Sequence, residues 1–489
     1  MSEQEKPSRL PGILKAAFKH LWLAVAGVAL VAALAFWPLL SNSPVDYADI
    51  EDHFKYGSIG SEPVNGIPYW IWKVLPDMFR VNLPGEGGYA SLGFLYEPGK
   101  TMPVGFSRRK NFIERVGLNC AVCHTGTFRE TPESERHLVT AMPANNLNLQ
   151  GYINFLSAAA LDARFNPKDM MPAIEKAGGN LNFIEKLIYR YLAIPRTRDA
   201  LINQRSAFAF FNRQPEWGVG RVDTFNPYKA VQFHFPMAKL PDSEIIGVAD
   251  LPSIWNQKPR QGMQLHWDGD NTLVEERNKS AALGAGVTPT SIDLDRIKRV
   301  EDWIWELPAS SYPYAINEQL ASAGERIYQN TCASCHAFGG AQVGKVVPVE
   351  DIGTDRHRLD SYTYEMLSNQ NTLFAGYPWR FQHFRKTDGY ANLPLDGLWL
   401  RAPYLHNGSV PTLRDLLEKP DSRPKQFYRG YDVFDQKKVG FVSDVPAENG
   451  RNFFKFDTAL PGNGNSGHLY GTDLSPEEKD ALVEYMKKL

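Results

Sequence analysis

The sequence predicts a mainly α-helical protein with long loops, made of two domains that follow one N-terminal transmembrane helix. Three observations predict it. An uncharged apolar run covers residues 21–40, the pattern C-x-x-C-H occurs at 120–124 and again at 332–336, and residues 475–489 have the period and the capping signal of a helix. Glycine and proline, 39 and 34 of 489 residues, follow no period, which indicates many loops between short elements.

The apolar run is long enough to cross a membrane. Residues 21–40 carry no charge, and twenty helical residues span about 30 Å, the thickness of the hydrocarbon core of a bilayer. Basic residues precede the run and acidic residues follow it. The positive-inside rule therefore predicts a cytoplasmic tail at 1–20 and a single-pass protein of the bacterial inner membrane, with the rest of the chain in the periplasm. A signal peptide cleaved near residues 33–35 is the alternative, although the run exceeds the roughly 7–15 apolar residues of such peptides.

Composition and charge narrow the class of protein. Hydrophobic residues make up 43% of the chain and charged residues 22%, which is typical of a folded globular protein. Lysine plus arginine total 53 against 55 for aspartate plus glutamate, which gives a net charge of -2. A nucleic-acid partner is therefore not expected, because proteins that bind nucleic acid carry a basic excess.

All four cysteines lie in the two C-x-x-C-H runs, which are Cys120-Ala-Val-Cys123-His124 and Cys332-Ala-Ser-Cys335-His336. This is the attachment pattern of c-type haem, in which both thiols bond the porphyrin and the histidine binds the iron. A disulfide inside either pair would not require the following histidine, and zinc ribbons do not place their cysteine pairs so far apart. We therefore predict two covalently bound haem c groups, with His124 and His336 as iron ligands.

Helices are expected ahead of both motifs. Phe112, Ile113 and Val116 recur at helical spacing before the first motif. Before the second motif, Gly324 and Tyr328 lie four residues apart and therefore on one face of a helix. A glycine on that face would let another helix approach closely.

A further helix is expected at the end of the chain. Ser475 and Glu478 form a capping box, and an apolar stripe that includes Tyr485 follows it. With Tyr328 packed near Tyr485, this helix and the one before the second motif resemble the crossed terminal helices of a cytochrome c fold.

These elements predict two haem domains. The second, cytochrome c-like domain covers 309–489, and the first haem c domain covers 45–308. The first is too long for a minimal cytochrome, so it must carry helical insertions such as the patterned stretch at 183–194. The boundary is placed near Pro308, where prolines flank a turn-like segment.

Several longer stretches resemble known families. The segments DLPSIWNQKPRQGMQLHWDGDNTLVEER (250–277) and LRAPYLHNGSVPTLRDLL (400–417) resemble parts of the bacterial di-haem cytochrome c peroxidases and their methylamine-dehydrogenase-maturation relatives. A closer resemblance, to the rubber-oxygenase-like branch of that superfamily, is carried by WGVGRVDTFNP (217–227), RPKQFYRGYDVFDQKKVGF (423–441) and PGNGNSGHLYGTDLS (461–475).

The resemblance implies how the second iron is completed. In rubber-oxygenase-like proteins the histidine of the 461–475 motif is the distal ligand, which implies that His336 and His468 hold one iron between them. His406 is the alternative ligand, or it orders the haem edge by hydrogen bonding. The ligating methionine or tyrosine of the peroxidases has no counterpart, because its position falls on Pro420.

The resemblance also implies catalytic roles near the W-D-G motif. Trp267 corresponds to a tryptophan between the haems that is suspected of relaying electrons. His266 is a candidate to hydrogen-bond an oxygen species at the first haem, and a buried structural histidine is equally compatible with its position. Arg277 and Val287 replace the polar catalytic groups of the peroxidases, and Arg277 remains a candidate to stabilise a bound anion.

Three functions fit two such haems. We expect a membrane-anchored periplasmic oxidoreductase, with electrons entering at the C-terminal haem and oxygen or peroxide bound at the N-terminal haem. A di-haem cytochrome c peroxidase and a non-enzymatic electron carrier are the alternatives. The expected partners are a small cytochrome c or a quinol-linked enzyme, dioxygen or hydrogen peroxide, and the inner membrane. Calcium is possible but unsupported, because no loop resembles an EF-hand.

Overall fold

The computed structural model describes residues 18–23, 25–27 and 42–489. Most of the predicted anchor at 21–40 and of the predicted tail at 1–20 lies outside the described residues, as does the alternative cleavage site at 33–35. No helix in the described part is long and apolar enough to cross a bilayer. The predicted single-pass anchor and the predicted location in the inner membrane therefore gain no support from the described residues.

The fold is mixed α and β, with 42% of the structure in helices and 13% in strands. The prediction of a mainly α-helical protein is therefore wrong. The strands are two to six residues long, and most of them pair into two-stranded ribbons within the long connections. Segments this short show no clear alternation of apolar and polar residues, so the sequence pattern indicates loops where the backbone forms ribbons.

Eight helices of the described residues are ten or more residues long. They are α1 (Tyr69–Met78), α2 (Leu149–Leu161), α3 (Pro167–Lys176), α4 (Ile194–Ala207), α5 (Val274–Gly284), α6 (Leu294–Glu306), α7 (Glu318–Thr331) and α8 (Pro476–Met486). Shorter helices connect them and are Ile50–Tyr56, Glu62–Asn65, Phe183–Ile188, Asp242–Ile245, Ala333–His336, Val349–Ile352, His357–Ser361, Tyr364–Thr372 and Leu413–Leu416.

The strands form one four-stranded antiparallel sheet and six ribbons. The sheet has the order β1-β3-β4-β2, with β1 (Asn42–Pro44), β2 (Ile67–Pro68), β3 (Phe106–Asn111) and β4 (Ile113–Leu118). The ribbons pair β5 (Thr125–Phe128) with β6 (His137–Thr140), β7 (Arg221–Asp223) with β8 (Val248–Asp250), β9 (Val346–Pro348) with β10 (Gly389–Ala391), β11 (Gln426–Arg429) with β16 (Phe454–Asp457), β12 (Phe434–Asp435) with β13 (Gly440–Phe441), and β14 (Ala447–Glu448) with β15 (Arg451–Asn452).

The helix predicted ahead of the first motif is a β-hairpin. Phe112 is the turn between β3 and β4, with a φ of 60°, and Ile113 and Val116 lie in β4. Both faces of β4 are covered, because Ile113 and Val116 are both buried. Apolar residues three apart are then buried on opposite faces of a strand, which imitates the spacing of a helix.

The crossed helices at the second motif are confirmed. Helix α8 begins with the predicted capping box of Ser475 and Glu478. A Cβ atom at Gly324 of α7 would lie 1.9 Å from the carbonyl oxygen of Ala481 in α8, so only glycine permits this crossing. The ring centres of Tyr328 and Tyr485 lie 5.2 Å apart beside it.

The largest hydrophobic core contains residues from both haem-motif regions, from Phe54 to Met486. A buried ion pair also joins them, because Arg129 Nε lies 2.8 Å from Asp432 Oδ1. The predicted domain boundary stays a prediction. The continuous core nevertheless fixes both C-x-x-C-H runs within one packed interior, which decides how the site residues can meet.

Candidate haem sites

The first C-x-x-C-H run begins as a short helical turn, Cys120–Val122, between strands β4 and β5. Asn119 starts the turn, since its side-chain oxygen accepts a hydrogen bond from the backbone N–H of Ala121 at 3.0 Å. Cys120 and Cys123 are partly buried and form no disulfide. Both thiols are therefore free for the thioether bonds of a c-type haem.

The ring of His124 is oriented by a backbone carbonyl. Its Nδ1 lies 2.8 Å from the carbonyl oxygen of Pro252, so Nδ1–H donates and Nε2 keeps its lone pair for a metal. Burial and, as the next cause, the positive charge of Arg277 lower the pKa of His124 to about 4. The ring is therefore neutral at neutral pH, which is the form that binds iron.

The second run repeats this arrangement. Cys332 follows α7, and Ala333–His336 form the next helical turn. Nδ1 of His336 lies 2.8 Å from the carbonyl oxygen of Leu393, and burial lowers the pKa of this histidine as well. Cys332 and Cys335 are partly buried and form no disulfide. Both motifs thus offer a histidine with its Nε2 free and its ring held by the main chain.

The structure brings His468 opposite His336. The two ring centres lie 6.3 Å apart at an interplanar angle of 41°. This separation leaves room for one metal atom between the rings, since a histidine–metal bond is about 2.0–2.1 Å long. Two hydrogen bonds fix the backbone of His468. Its backbone N–H donates to the carbonyl oxygen of Ile352 at 2.8 Å, and Arg423 donates to its carbonyl oxygen at 3.2 Å.

The protonation of His468 also suits an iron ligand. Burial lowers its pKa to about 4, with His336 as the next cause, so the ring is neutral. Its Nδ1 is buried without a hydrogen-bond partner among the described residues.

His406 has a different environment. Its ring stacks on Tyr390 at 4.0 Å between centres, and its Nε2 lies 2.9 Å from the Tyr390 hydroxyl. That hydroxyl donates to the carbonyl oxygen of Asp355 at 2.6 Å, so it accepts from Nε2–H of His406. The nitrogen that most often binds haem iron is therefore engaged, and the geometry favours the hydrogen-bonding role of His406.

Trp267 bridges the segments that orient the histidines of the two C-x-x-C-H runs. Its indole N–H donates to the carbonyl oxygen of Asp250 at 2.8 Å, two residues before Pro252. Its own carbonyl oxygen accepts from the N–H of Ala391 at 2.8 Å, two residues before Leu393. The tryptophan is thus tied to both strands that lead to the carbonyl partners of His124 and His336.

Arg277 belongs to the first site. It lies on α5, it is buried, and within the part of the chain that the structure describes it forms no ion pair. Burial and the charge of Arg260 lower its pKa to about 10, against the opposing effect of Asp270. An uncompensated buried guanidinium near His124 suits an anionic group, such as a haem carboxylate or a bound oxygen species.

His266 is linked to Arg277 through Asp270. The backbone of His266 has a φ of 61°, and its Nδ1 lies 2.5 Å from Oδ1 of Asp270. Burial raises the pKa of Asp270, and His266 opposes that shift. Phe384 stacks against the imidazole at 6.4 Å. The pair therefore joins a partly buried imidazole to a buried carboxyl whose charge acts on Arg277.

Sequence reasoning missed three features of these sites. The carbonyls of Pro252 and Leu393 orient the histidines, and a backbone group has no signature in the sequence. Glu301 of α6 is the third feature, because burial raises its pKa to about 7 and its Oε1 has no hydrogen-bond partner in the described residues. The charge of Glu301 acts on the thiol of Cys120. Its only sequence signal is a glutamate one turn from the apolar residues Ile297 and Ile304.

Among the described residues, no group of three or more histidine, cysteine, aspartate or glutamate side chains could hold a metal ion. Calcium therefore gains no support. A haem iron takes four ligands from the porphyrin, so a pair of histidines is not such a group.

Comparisons with known proteins agree with a haem protein. A family model described as RoxA-like, cytochrome c-like, matches residues 389–429, which include the Leu393 carbonyl, Tyr390 and His406. A cytochrome c-like segment implies haem c and is consistent with a haem-dependent oxidoreductase. The match supports the rubber-oxygenase-like cytochromes and does not support the wider placement among the di-haem peroxidases. It leaves the number of haem groups open.

Two similar proteins are known from Sinorhizobium fredii (strain NBRC 101917 / NGR234). "Uncharacterized protein y4iM" is 32% identical over an alignment of 283 positions that covers 49% of this chain and 64% of that protein. "Uncharacterized protein y4iJ" is 25% identical over an alignment of 505 positions that covers 82% of this chain and 81% of that protein. The match to the first of these relatives therefore spans less than two thirds of its length.

Proposed function

We propose that this haem-containing protein is a di-haem oxidoreductase whose two haem groups have different tasks. His336 and His468 would hold one haem between them, and this haem would transfer single electrons. His124 would hold the other haem, which would bind oxygen or peroxide. The proposal rests on the pairing of the His336 and His468 rings at 6.3 Å, which no histidine ring of the described residues repeats at His124.

Haem, when bound, supplies an iron that exchanges single electrons and, where a position is open, binds dioxygen or peroxide. The chain contributes the surroundings of that position. Arg277 places a positive charge in a buried setting, where it stabilises negative charge more strongly than it would in water. Ala282 and Val287 are buried against Cys120 and exclude water from this side. Such an apolar wall favours an apolar substrate.

His266 is the group assigned to handle a proton near this position. Nδ1–H of His266 donates to Oδ1 of Asp270, which leaves Nε2 of this tautomer as an acceptor. Asp270 also acts on the charge of Arg277. Nε2 of His266 then takes up or returns the proton, while Asp270 keeps the ring in one tautomer.

Trp267 is assigned as the relay between the two haem sites. Support comes from its hydrogen bonds to the strands that carry Pro252 and Leu393. Electrons are exchanged with a separate redox protein, either a small cytochrome c or a quinol-linked enzyme. The reaction that fits best is oxidation of an apolar substrate by dioxygen, since the peroxidase positions hold Arg277 and Val287 and the second of these is fully buried and apolar.

Absorption and electron paramagnetic resonance spectra of the purified protein test this assignment. We expect two covalent haem groups per chain, one low-spin and one that responds to carbon monoxide or cyanide. A spectrum that is entirely low-spin and unchanged by both ligands would contradict the enzyme and leave an electron carrier. Rapid consumption of peroxide with reduced cytochrome c as the electron donor, and no consumption of dioxygen when an alkene is added, would instead favour the peroxidase.

A further inference from the structure

A cleft of about 1080 Å³ lies beside the first haem site. Its walls come from α4, from the hairpin turn between β3 and β4, from the segment around residues 227–234 and from the end of α5. None of its lining side chains has a role in the sites described above. The cleft is large enough for a chain of a dozen or more carbon atoms, since ligand pockets are about 300–1,000 Å³.

The inner wall of the cleft is the last turn of α5. Leu283 and Gly284 line the cleft. The preceding residue, Ala282, packs instead with Val287, and Cys120 lies against that cluster. One helical turn therefore separates the cleft from the thiol that anchors the first haem.

The backbone around the cleft is irregular. The two π-helical turns of the described residues, Tyr189–Ala193 and Tyr228–Gln232, both contribute to its lining. Such turns are rare and occur frequently at functional sites. Phe112 and His234 line it as well, and both have a positive φ, of 60° and 52°. For residues other than glycine a positive φ strains the backbone, and strain of this kind is concentrated at binding sites.

The lining combines apolar side chains with unbalanced positive charge. Phe112 is 53% exposed and Leu192 47%, so apolar surface faces the open space. Arg115 and Arg196 line the same cleft, which contains no aspartate or glutamate. Within the described residues neither arginine forms an ion pair, and the only side-chain hydrogen bond of Arg115 goes to the Gly66 carbonyl at 2.8 Å. Long apolar walls and free guanidinium groups together complement an anionic amphiphile.

We propose that this cleft binds a long-chain carboxylate, with Arg115 and Arg196 at its head and its chain directed toward Leu283. The proposal deepens the function given above and rests on it for one point, that the chain ends beside a reactive haem. Binding itself does not depend on that point. The occupant is a free monomeric amphiphile rather than a membrane surface.

Calorimetry on the haem-loaded protein tests the head group. The probes are dodecanoate and dodecyltrimethylammonium, which have the same chain and opposite charge, both below their micelle concentrations. We expect dodecanoate to bind at least ten-fold more tightly. Arg115→Gln and Arg196→Gln should each weaken dodecanoate about ten-fold. Arg205→Gln is the matched control, because Arg205 is exposed on the same helix as Arg196 but lies outside the cleft.

The position of the site is tested by filling the cleft. Ala200 is exposed and lines the cleft, so Ala200→Trp should abolish dodecanoate binding without disturbing the fold, which an unchanged haem spectrum would verify. Equal affinity for both probes, or dodecanoate binding that survives Ala200→Trp, would overturn the proposal. So would binding to phosphatidylglycerol vesicles without binding of monomeric dodecanoate. Cyanide titration of the same samples reports the first haem separately, so failure of the two proposals can be told apart.

Discussion

The two C-x-x-C-H sites orient their histidines in the same way and differ in the residues that surround those histidines. At each, a histidine in a neutral form donates Nδ1–H to a backbone carbonyl at 2.8 Å. Opposite His336 the chain places His468, whereas the charge of Arg277 acts on His124 and small apolar residues pack against the neighbouring Cys120. Two runs of the same pattern thus have different surroundings, which residues from elsewhere in the sequence supply.

The largest effect is expected from removing either attachment site. Replacing Cys332 and Cys335 by serine should halve the covalent haem and remove the low-spin signal, because the His336–His468 pair then loses its group. Replacing Cys120 and Cys123 should also halve the haem and should remove the part that binds cyanide. Pyridine haemochrome assay and cyanide titration measure both quantities. Loss of all haem in either double variant, or loss of the same spectral component in both, would contradict the difference between the two sites.

The second haem should depend on His468 almost completely. His468→Ala should convert the low-spin haem to high-spin and give it the capacity to bind cyanide, because the imidazole opposite His336 is removed. The first haem should be unaffected.

His406→Phe serves as the matched variant for this change. It preserves stacking on Tyr390 and loses one buried hydrogen bond, which costs about 0.5–1.5 kcal/mol of stability. Its spectrum should remain that of the parent protein. A spin change in His406→Phe, with none in His468→Ala, would transfer the ligand role to His406.

Electron transfer between the sites is expected to depend on Trp267. Trp267→Phe keeps the aromatic packing against Tyr390 but removes the indole hydrogen bond to Asp250. We expect the rate at which reducing equivalents pass from the second haem to the first to fall about ten-fold, as measured by stopped-flow absorption.

The control for this rate is Trp303→Phe. Trp303 packs on Phe54, and within the described residues its indole N–H makes no hydrogen bond. Its replacement should leave the rate unchanged. Equal rates in both variants would remove Trp267 from the path and would leave the two haem sites coupled in some other way.

The sequence could predict the parts of this comparison that have a local signature. The two attachment motifs, the crossing of α7 and α8 at Gly324 and the capping box at Ser475 are all encoded within a few residues. The pairing of His336 with His468 came from a resemblance, because the 131 residues between them carry no spacing rule; the structure then brought the rings together.

The remainder depends on contacts between distant segments. The hairpin at Phe112 imitates helical spacing because both faces of β4 are covered. The carbonyls of Pro252 and Leu393 belong to the main chain, so no residue type announces them. The apolar run at 21–40 satisfies a length rule, yet no described helix can span a bilayer. Burial of Glu301 likewise arises only when α6 packs beside Cys120.

The smallest expected effect concerns pH, and only at the first haem. Burial raises the pKa of Glu301 to about 7, so this carboxyl is neutral at pH 6 and mostly ionised at pH 8. Its negative charge acts on Cys120. The raised pKa values of Cys332 and Cys335 come instead from burial, to which Cys335 adds for Cys332. An ionised carboxylate beside the first haem stabilises the oxidised iron, which carries the greater positive charge. We therefore expect the midpoint potential of the first haem to fall between pH 6 and pH 8 and that of the second to stay constant.

Glu301→Gln should abolish the fall, and Glu306→Gln, an exposed change on the same helix, should leave it in place. Potentiometric titrations at both pH values measure this, and a fall of equal size at both haems would show that Glu301 does not distinguish the two sites.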